Sequence, residues 1–287
     1  MNRLKLYCLF ISAVIAMLMF GAQWLTSQPA DNNRVTVPLT DPSRPAHVHA
    51  HLLSGSITVK AYDGKDVIVE AKTRGDDEED NDERPRGHSG ALHRIPLNST
   101  GLNVEAENNQ VNISTSSMRR AVDLTLTVPV HTSLSLRTVN GGNIVVSGVD
   151  GEMDVNDING EVTLKNISGS AVAHALNGRV LVTFNRVDPQ KPMAFSSMNG
   201  DVDVTFPPEL KATLSMRTDN GEVYSDFDIQ LQTTTPQQTV EDGRGKGGKY
   251  VVRMEKTVKG TINGGGQEIQ FKNFNGNIYI RKAGGKQ

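Results

Sequence analysis

Residues 140–178 read NGGNIVVSGVDGEMDVNDINGEVTLKNISGSAVAHALNG. Five glycines in this stretch lie nine residues apart, at positions 142, 151, 160, 169 and 178. Apolar residues follow each of the first four glycines at the second, fourth and seventh positions, as in Ile144, Val146 and Val149. A fixed period of this kind indicates a repeat architecture. The alternating apolar residues predict short strands with one buried face, and the glycines permit corners between them.

The repeat extends beyond this stretch in both directions. Asn-Gly occurs seven times, beginning at residues 140, 159, 177, 199, 220, 263 and 275. Because Asn-Gly also favours two-residue hairpin turns, hairpins in a β-sandwich are the competing interpretation. The constant nine-residue step favours a solenoid, since two steps supply a rung of two strands and two corners. The sequence predicts an all-β fold, a β-solenoid of ~9-residue strand-turn units with roughly ten rungs spaced about 4.8 Å apart.

The predicted domain organisation places the β-solenoid at residues 47–283, after a linker at residues 31–46. Two polar inserts, residues 75–96 and 228–249, interrupt the regular pattern. The first insert contains seven acidic residues within the eight positions 76–83. Such composition is typical of solvated loops.

Residues 1–30 are typical of a targeting segment. Arg3 and Lys5 precede a run of 19 uncharged residues at positions 7–25. This run is long for the apolar region of a cleaved signal peptide and close to the length of a spanning helix. A signal peptide and an uncleaved signal anchor both remain open, and both predict one N-terminal hydrophobic helix. In either case the domain is expected to be exported, as a membrane-anchored, periplasmic or extracellular protein.

Composition narrows the class of partner. The chain has a formal net charge of −2, so the sequence does not favour a nucleic-acid partner, which requires a basic face. Cys8 is the only cysteine and lies within the uncharged run. The exported domain is therefore expected to be stable without disulfides, although its compartment permits them.

Histidines alternate in one predicted strand, at His47, His49 and His51. Alternation places the three imidazoles on one face, where they could hold zinc or copper. The simpler interpretation is an exposed polar face opposite a buried face of Val48, Ala50 and Leu52, and it leads us to expect no metal site.

Catalysis is not expected, because the sequence contains no nucleophile motif or phosphate loop, and no cofactor is implied. Several acidic residues fall at repeat positions and are interpreted as outward-facing, solubilising side chains: Asp154, Asp157, Glu161, Asp201 and Asp203.

Four segments together resemble a known family: Leu124–Pro129, the run from Leu134 to Val146, Gly151–Val155 and Asn159–Leu164. They are similar to the repeats of the bacterial putative-adhesin family, a domain of unknown function with degenerate Asn-Gly β-repeats. The resemblance covers about Val48 to Arg281. It implies an all-β, solenoid-like domain exported to the cell envelope, often behind one membrane helix, and it carries no catalytic residues.

The expected function is that of a non-enzymatic cell-envelope protein, adhesin-like or related to envelope stress. Its β-solenoid would bind another macromolecule, which could be a glycan, a peptide or a protein. Residues 7–25 would contact the membrane if they are not cleaved. The alternative is a self-assembling structural scaffold, which the charged tail after the last sequence repeat, Asn275–Arg281, is expected to discourage. A carbohydrate-active β-helix enzyme ranks below both.

Overall fold

The computed structural model describes residues 34–74, 101–115, 120–232, 238–242, 250–254 and 257–284. Every regular element within these residues is a β-strand, which confirms the all-β prediction for the described part of the chain. The strands of the first half are β1 (Arg34–Pro38), β2 (Ala46–Ser54), β3 (Ile57–Tyr62), β4 (Asp66–Thr73), β5 (Leu102–Glu107), β6 (Gln110–Thr115), β7 (Val122–Pro129), β8 (Thr132–Asn140), β9 (Ile144–Ser147), β10 (Asp150–Asp157) and β11 (Val162–Ala175). Those of the second half are β12 (Val180–Val187), β13 (Met193–Asn199), β14 (Val202–Phe206), β15 (Ala212–Asn220), β16 (Val223–Ser225), β17 (Gln230–Leu231), β18 (Gln238–Asp242), β19 (Tyr250–Met254), β20 (Val258–Ile262), β21 (Gln267–Asn275) and β22 (Ile278–Lys282).

Twenty of these strands form a stack of two connected sheets. The front sheet runs β5-β6-β2-β8-β10-β11-β13-β21-β15-β20-β17. The back sheet runs β1-β4-β7-β3-β9-β11-β12-β14-β22-β16. β11 belongs to both sheets, because it bends between Leu164 and Ser168, where its register with β12 shifts.

Parallel two-strand rungs form the body of this stack. In each rung a front strand is followed in the chain by a back strand. Eight such rungs of the described residues pair in parallel: β6/β7, β2/β3, β8/β9, β10/β11, β11/β12, β13/β14, β21/β22 and β15/β16. Within the described residues the front sheet has eleven strands and the back sheet ten, with β11 in both, which agrees with the prediction of roughly ten rungs. Strands at the ends pair antiparallel and close the stack. β1, β4 and β5 do so at one end, and β17 and β20 at the other.

The spatial order of the rungs departs from their order in the chain. The last rung of the sequence, β21/β22, lies between β13/β14 and β15/β16 and pairs in parallel with both. The last repeat of the sequence therefore does not end the stack, and the charged tail follows an internal rung. The spatial order of the rungs cannot be predicted from the repeat, because every rung presents the same kind of parallel edge to its neighbours.

A column of glycines allows the rungs to stack closely at the Asn-Gly corner. A Cβ added to Gly142, Gly160 or Gly178 would lie 2.0 Å from the carbonyl oxygen of the glycine in the adjacent rung. No real Cβ atom approaches backbone that closely, so only glycine permits this spacing. Gly151 and Gly169 occupy a different corner, at the start of the front strands. The nine-residue repeat is thus half of an 18-residue rung, and successive units alternate between the two sheets.

The core lies between the sheets. Inward side chains of both sheets join one buried apolar cluster, in which Phe184 and Phe206 of the back sheet stack with ring centroids 5.3 Å apart. Phe195 of the front sheet contacts both rings edge-on, at 6.2 Å. Burial of this apolar surface is the main stabilising term of the stack.

The predicted boundaries differ from the structure near the N-terminus. Residues 34–38, assigned to a linker, form β1 and pair with β4, because Val35, Val37 and their neighbours alternate as a strand does. The expected N-terminal helix and the insert at residues 75–96 lie outside the described residues. Among the residues that the structure does describe, no helix has the length and apolarity needed to cross a membrane.

Candidate functional site

The outer face of the front sheet presents side chains in rows that cross the strands. Register places eight residues in one such row, here called the basic row, and they are, in spatial order, Ser114, His51, Arg137, Asn156, His174, Ser196, Lys272 and Arg217. Three of them are arginine or lysine, two are histidine and none is acidic. The row therefore offers an anionic partner cationic and hydrogen-bonding groups about every 4.8 Å.

Two arginines of the basic row have acidic neighbours in adjacent rows. Arg137 lies 3.7 Å from Asp154, and Arg217 lies 3.3 Å from Asp219. Among the described ion pairs none involves Lys272, which is exposed. Burial and then the charge of Lys272 lower the pKa of His174. Lys272 therefore makes the row electropositive near His174.

The three alternating histidines lie where the sequence predicts. His47, His49 and His51 are exposed on the outer face, and Val48, Ala50 and Leu52 are buried beneath them. Within the described residues, no group of three or more histidine, cysteine or acidic side chains is arranged to hold a metal ion. His49 and His51 instead line an open groove of about 470 Å³ with Arg137 and Asn156.

An apolar row, here called the apolar stripe, lies beside the basic row on the same outer face. Its members each precede the corner asparagine or serine by one residue, and they are Leu53, Val139, Ile158, Leu176, Met198 and Phe274. Leu53 at one end is 43% exposed, and the neighbouring Met198 and Phe274 near the other end are 43% and 45% exposed. Val139, Ile158 and Leu176 between them are partly buried. Asp219 occupies the next position and ends the stripe.

The apolar residues at the seventh position after each glycine differ between the two sheets. Val149 and Ile167 of the back-sheet units are fully buried. Ile158 and Leu176, in the front-sheet units, instead face outward and are only partly buried. In the sequence, the stripe is visible as a large apolar residue before most Asn-Gly pairs. The nine-residue period alone does not show whether that residue faces the core or the solvent.

Next to the apolar stripe, six corner asparagines form a continuous ladder of side-chain hydrogen bonds. Asn159 donates to Asn140, Asn177 to Asn159 and Asn199 to Asn177, at 3.4, 2.9 and 2.8 Å. The ladder continues as Asn275 donates to Asn199 and Asn220 donates to Asn275, both at 2.9 Å. Asn263 is outside the ladder and donates to the carbonyl of Leu210. Stacked amides of this kind fix the register of parallel rungs.

Asp157 is the exception among the five acids expected on the surface. It is fully buried because it follows the outward-facing Asn156 in β10, and neither carboxyl oxygen makes a hydrogen bond of normal geometry with the described residues. Burial raises its pKa to about 7, against a smaller lowering by the backbone amide of Asn159. A buried carboxyl group of this kind is a functional or pH-sensitive candidate that alternation could have identified.

The other four acids face outward, and three of them pair with arginine. Arg179 contacts Glu161 and Arg281 contacts Asp203, both at 2.8 Å, on the outer face of the back sheet. Tyr224 and Tyr279 stack beside the second pair with ring centroids 5.3 Å apart. This face is therefore mixed in charge and carries an exposed aromatic pair at one end.

One pair of side chains has the elements of a nucleophile and a base. Nδ1 of His174 lies 2.7 Å from Oγ of Ser196 on the outer face of the front sheet. The strand around Ser196 pairs with β11 and β21, so its amides take part in the ladder. The two side chains form a hydrogen bond within the basic row.

Comparison with solved structures finds two adhesion-related proteins, at low identity. One is a putative cell adhesion protein from Clostridium sporogenes, with 9% identity, a TM-score of 0.42, and coverage of 87% of this chain and 98% of the other. The other is a putative adhesin from Bacteroides fragilis, with 11% identity, a TM-score of 0.35, and coverage of 87% and 95%. No curated protein sequence matches this chain.

The family comparison is more direct. The Toastrack DUF4097 family matches residues 13–263, which is most of the chain, and it includes the stretch in which the repeat is regular. The resemblance stated from the Asn-Gly repeats is thereby confirmed, and the chain belongs to the Toastrack DUF4097 family.

Proposed function

We propose that this protein is a non-enzymatic, exported cell-envelope protein whose β-solenoid binds another macromolecule. The observation that carries the proposal is the regular outer surface, on which rows of polar side chains recur once per strand in fixed register. A rigid array at about 4.8 Å suits a long partner that makes many weak contacts, such as a glycan or an extended polypeptide.

Export is proposed from residues 1–30, whose basic start and uncharged run of 19 residues are typical of a targeting segment. The proposed location is the membrane surface, if the segment stays as an anchor, or the periplasm or exterior, if it is cleaved. A domain without cysteine suits any of these compartments, because its stability does not depend on redox conditions.

The polar inserts are proposed to set specificity. The first insert lies between β4 and β5, whereas the second, residues 228–249, contains β17 and lies before β20. These strands lie at opposite ends of the stack, so the two inserts would contact separate parts of a long partner. Deleting residues 75–96 and 228–249 without weakening ligand binding would remove this assignment.

The scaffold alternative has no specific observation in its favour. Antiparallel strands β1 and β5 close one end of the stack, and β20 and β17 extend the front sheet antiparallel at the other. End-to-end growth of parallel rungs would need matching parallel edges at both ends.

The test is co-sedimentation of residues 33–287, which form one compact unit, with a bacterial cell-envelope fraction. A second tube holds the same fraction after detergent has removed its lipids, and a third holds protein alone. The proposal predicts pelleting in the first two tubes only. Absence of pelleting with both envelope samples would contradict the binding function, and pelleting alone would favour the scaffold.

A further inference from the structure

We propose that the free edge of β16 binds an extended, basic segment of a polypeptide, which joins the back sheet as a further strand. In such a segment arginine or lysine residues alternate with apolar residues. The inference rests on the proposed function and deepens it, because it names the chemistry of the bound macromolecule and the place where that macromolecule pairs.

The front and back sheets do not end together at this end of the stack. The last parallel rung is β15/β16, and the front sheet continues beyond β15 with β20 and β17. The back sheet stops at β16, which among the described strands pairs on one edge only, with β22. A strand added at the other edge would lie about 4.8 Å from β16, opposite the two extra strands of the front sheet.

Three apolar side chains are left uncovered at this end. Val223, Val258 and Leu231 each pair in register with a buried residue of the neighbouring strand, so their side chains face the space between the sheets. They are nevertheless 37%, 44% and 65% exposed. Apolar side chains on the inner face of an added strand would remove this surface from water, which favours binding.

The backbone of β16 is the reason why a polypeptide fits this edge better than a glycan. Parallel pairing with β22 uses the carbonyl of Glu222, which accepts from Ile278 at 2.9 Å, and the amide of Asp226, which donates to Ile280 at 3.0 Å. Alternation then directs the amide and carbonyl groups of Val223 and Ser225 away from β22. These groups are complementary to the backbone of a neighbouring strand, and main-chain hydrogen bonds provide the affinity when a peptide adds to a sheet edge.

The outward side chains of β16 indicate that the added strand is basic. Glu222, Tyr224 and Asp226 alternate along the outer face, and all three are exposed. Glu222 accepts a hydrogen bond from Tyr224 at 2.7 Å, but none of the ion pairs among the described residues involves either acid. Opposite charges on neighbouring strands stabilise a sheet, so basic side chains opposite the two acids are favoured.

Two cations of β22 line a groove with Asp226, and both make other contacts. Arg281 donates to both carboxyl oxygens of Asp203, at 2.8 and 2.9 Å. Nζ of Lys282 lies 5.7 Å from the ring centroid of Phe227. The acids of β16 therefore keep their charge available to a partner.

A second copy of the chain is a poorer occupant of this edge. If two β16 strands paired antiparallel about Tyr224, Glu222 of one copy would lie opposite Asp226 of the other. Like charges directly opposite each other destabilise a sheet, so charge complementarity favours a basic partner over self-association.

The first measurement is the fluorescence anisotropy of a labelled peptide of alternating valine and arginine, mixed with the full chain in detergent micelles. A matched peptide carries glutamate in place of arginine, and only the arginine peptide is expected to bind. Glu222→Lys combined with Asp226→Lys should weaken binding of the arginine peptide by about tenfold and favour the glutamate peptide. Glu107→Lys combined with Glu209→Lys makes the same change of charge at exposed positions outside β16 and should leave both peptides unaffected.

Hydrogen exchange followed by NMR separates strand addition from simple attraction between charges. The amides of Val223 and Ser225 should exchange about tenfold more slowly when the arginine peptide is bound. The amide of Asp226 already donates to Ile280 and should change little. Val223→Pro removes an amide that faces away from β22, so it should prevent peptide binding and keep the pairing with β22.

Failure of the arginine peptide to bind, equal binding of both peptides, or binding without slower exchange at Val223 and Ser225 would overturn the proposal. Slow exchange of these two amides in the peptide-free protein would also overturn it. Dependence of that exchange on protein concentration would then identify a second copy as the occupant, and independence would identify a segment of the same chain. Pelleting with the cell envelope is a separate readout, so this proposal and the proposed function can fail independently.

Discussion

Replacing Asp157 by asparagine should make the domain more stable at neutral and alkaline pH. Equivalent positions in four other rungs donate a side-chain hydrogen bond to the carbonyl of a corner glycine. Those bonds run from Thr138 to Gly55, Ser197 to Gly178, Asn273 to Gly200 and Thr218 to Gly276, at 3.1, 2.8, 2.8 and 3.1 Å. A carboxylate cannot donate, so only protonated Asp157 can take the same role.

The local geometry explains why ionisation is unfavourable. The position that a Gly160 Cβ would take lies 2.0 Å from the carbonyl oxygen of Gly142 and 2.6 Å from Oδ2 of Asp157. The carboxyl group is therefore close to a carbonyl oxygen in a site without solvent. Two acceptors repel each other there unless a proton lies between them.

The magnitude follows from the difference between the folded and unfolded pKa values. Burial raises the pKa of Asp157 from 3.8 to about 7, so the folded state binds more protons than the unfolded state between these values. The contribution of protonated Asp157 to the free energy of unfolding is therefore fully present below about pH 4 and is lost as the pH rises to about 7. At about 1.4 kcal/mol per pKa unit, the loss reaches about 4 kcal/mol above pH 7.

Urea unfolding at pH 4, 6 and 8 tests this prediction. Asp157→Asn should remove most of the pH dependence and exceed the wild type at pH 8, because its amide can donate to Gly142 as Asn273 does to Gly200. Asp154→Asn, an exposed change in the same strand, is the control and should leave the pH dependence nearly unchanged. An Asp157→Asn protein that keeps the wild-type pH dependence, or is less stable than the wild type at pH 8, would refute the reasoning.

Three further substitutions test the packing of the stack by urea unfolding. Gly178→Ala should destabilise the domain by about 3 kcal/mol or more, because the added Cβ would overlap the Gly160 carbonyl. If the variant were as stable as the wild type, the close stacking of the corner glycines would be contradicted. Phe195→Ala should cost about 3–5 kcal/mol, whereas the exposed Phe274→Ala should cost less than about 1 kcal/mol; equal losses would contradict the assigned core. Asn199→Ala removes two hydrogen bonds of the asparagine ladder and should lower the free energy of unfolding by about 1–2 kcal/mol. An unchanged urea midpoint would mean that these hydrogen bonds do not stabilise the domain.

The strands and corners could be predicted from the sequence, because the nine-residue glycine period and the alternation of apolar and polar residues indicate them directly. The segment Leu124–Pro129 lies within strand β7 (Val122–Pro129), and the alternating histidines of β2 face outward as expected. Glycine at the corners follows from the close approach of successive rungs. These features depend on neighbours within about ten residues, and a repeat preserves them.

Long-range order was not predictable from the same signals. The insertion of β21/β22 between two earlier rungs depends on pairing between residues some 75 positions apart, such as Asn199 and Asn275. The outward side of Ile158 depends on which sheet its unit joins. The burial of Asp157 could have been inferred from the alternation Asn156–Asp157, but an acidic residue at a repeat position favours a surface interpretation on composition alone.

Every surface assigned to this protein depends on the order of its rungs, so the most direct test is disulfide cross-linking in a Cys8→Ser background. Paired cysteines require Cα atoms about 4.4–6.8 Å apart, which neighbouring strands satisfy and next-nearest strands do not. The account predicts cross-links for Asn199→Cys with Asn275→Cys and for Asn220→Cys with Asn275→Cys, and none for Asn199→Cys with Asn220→Cys. A cross-link between positions 199 and 220, with none to position 275, would place the rungs in sequence order and contradict the account.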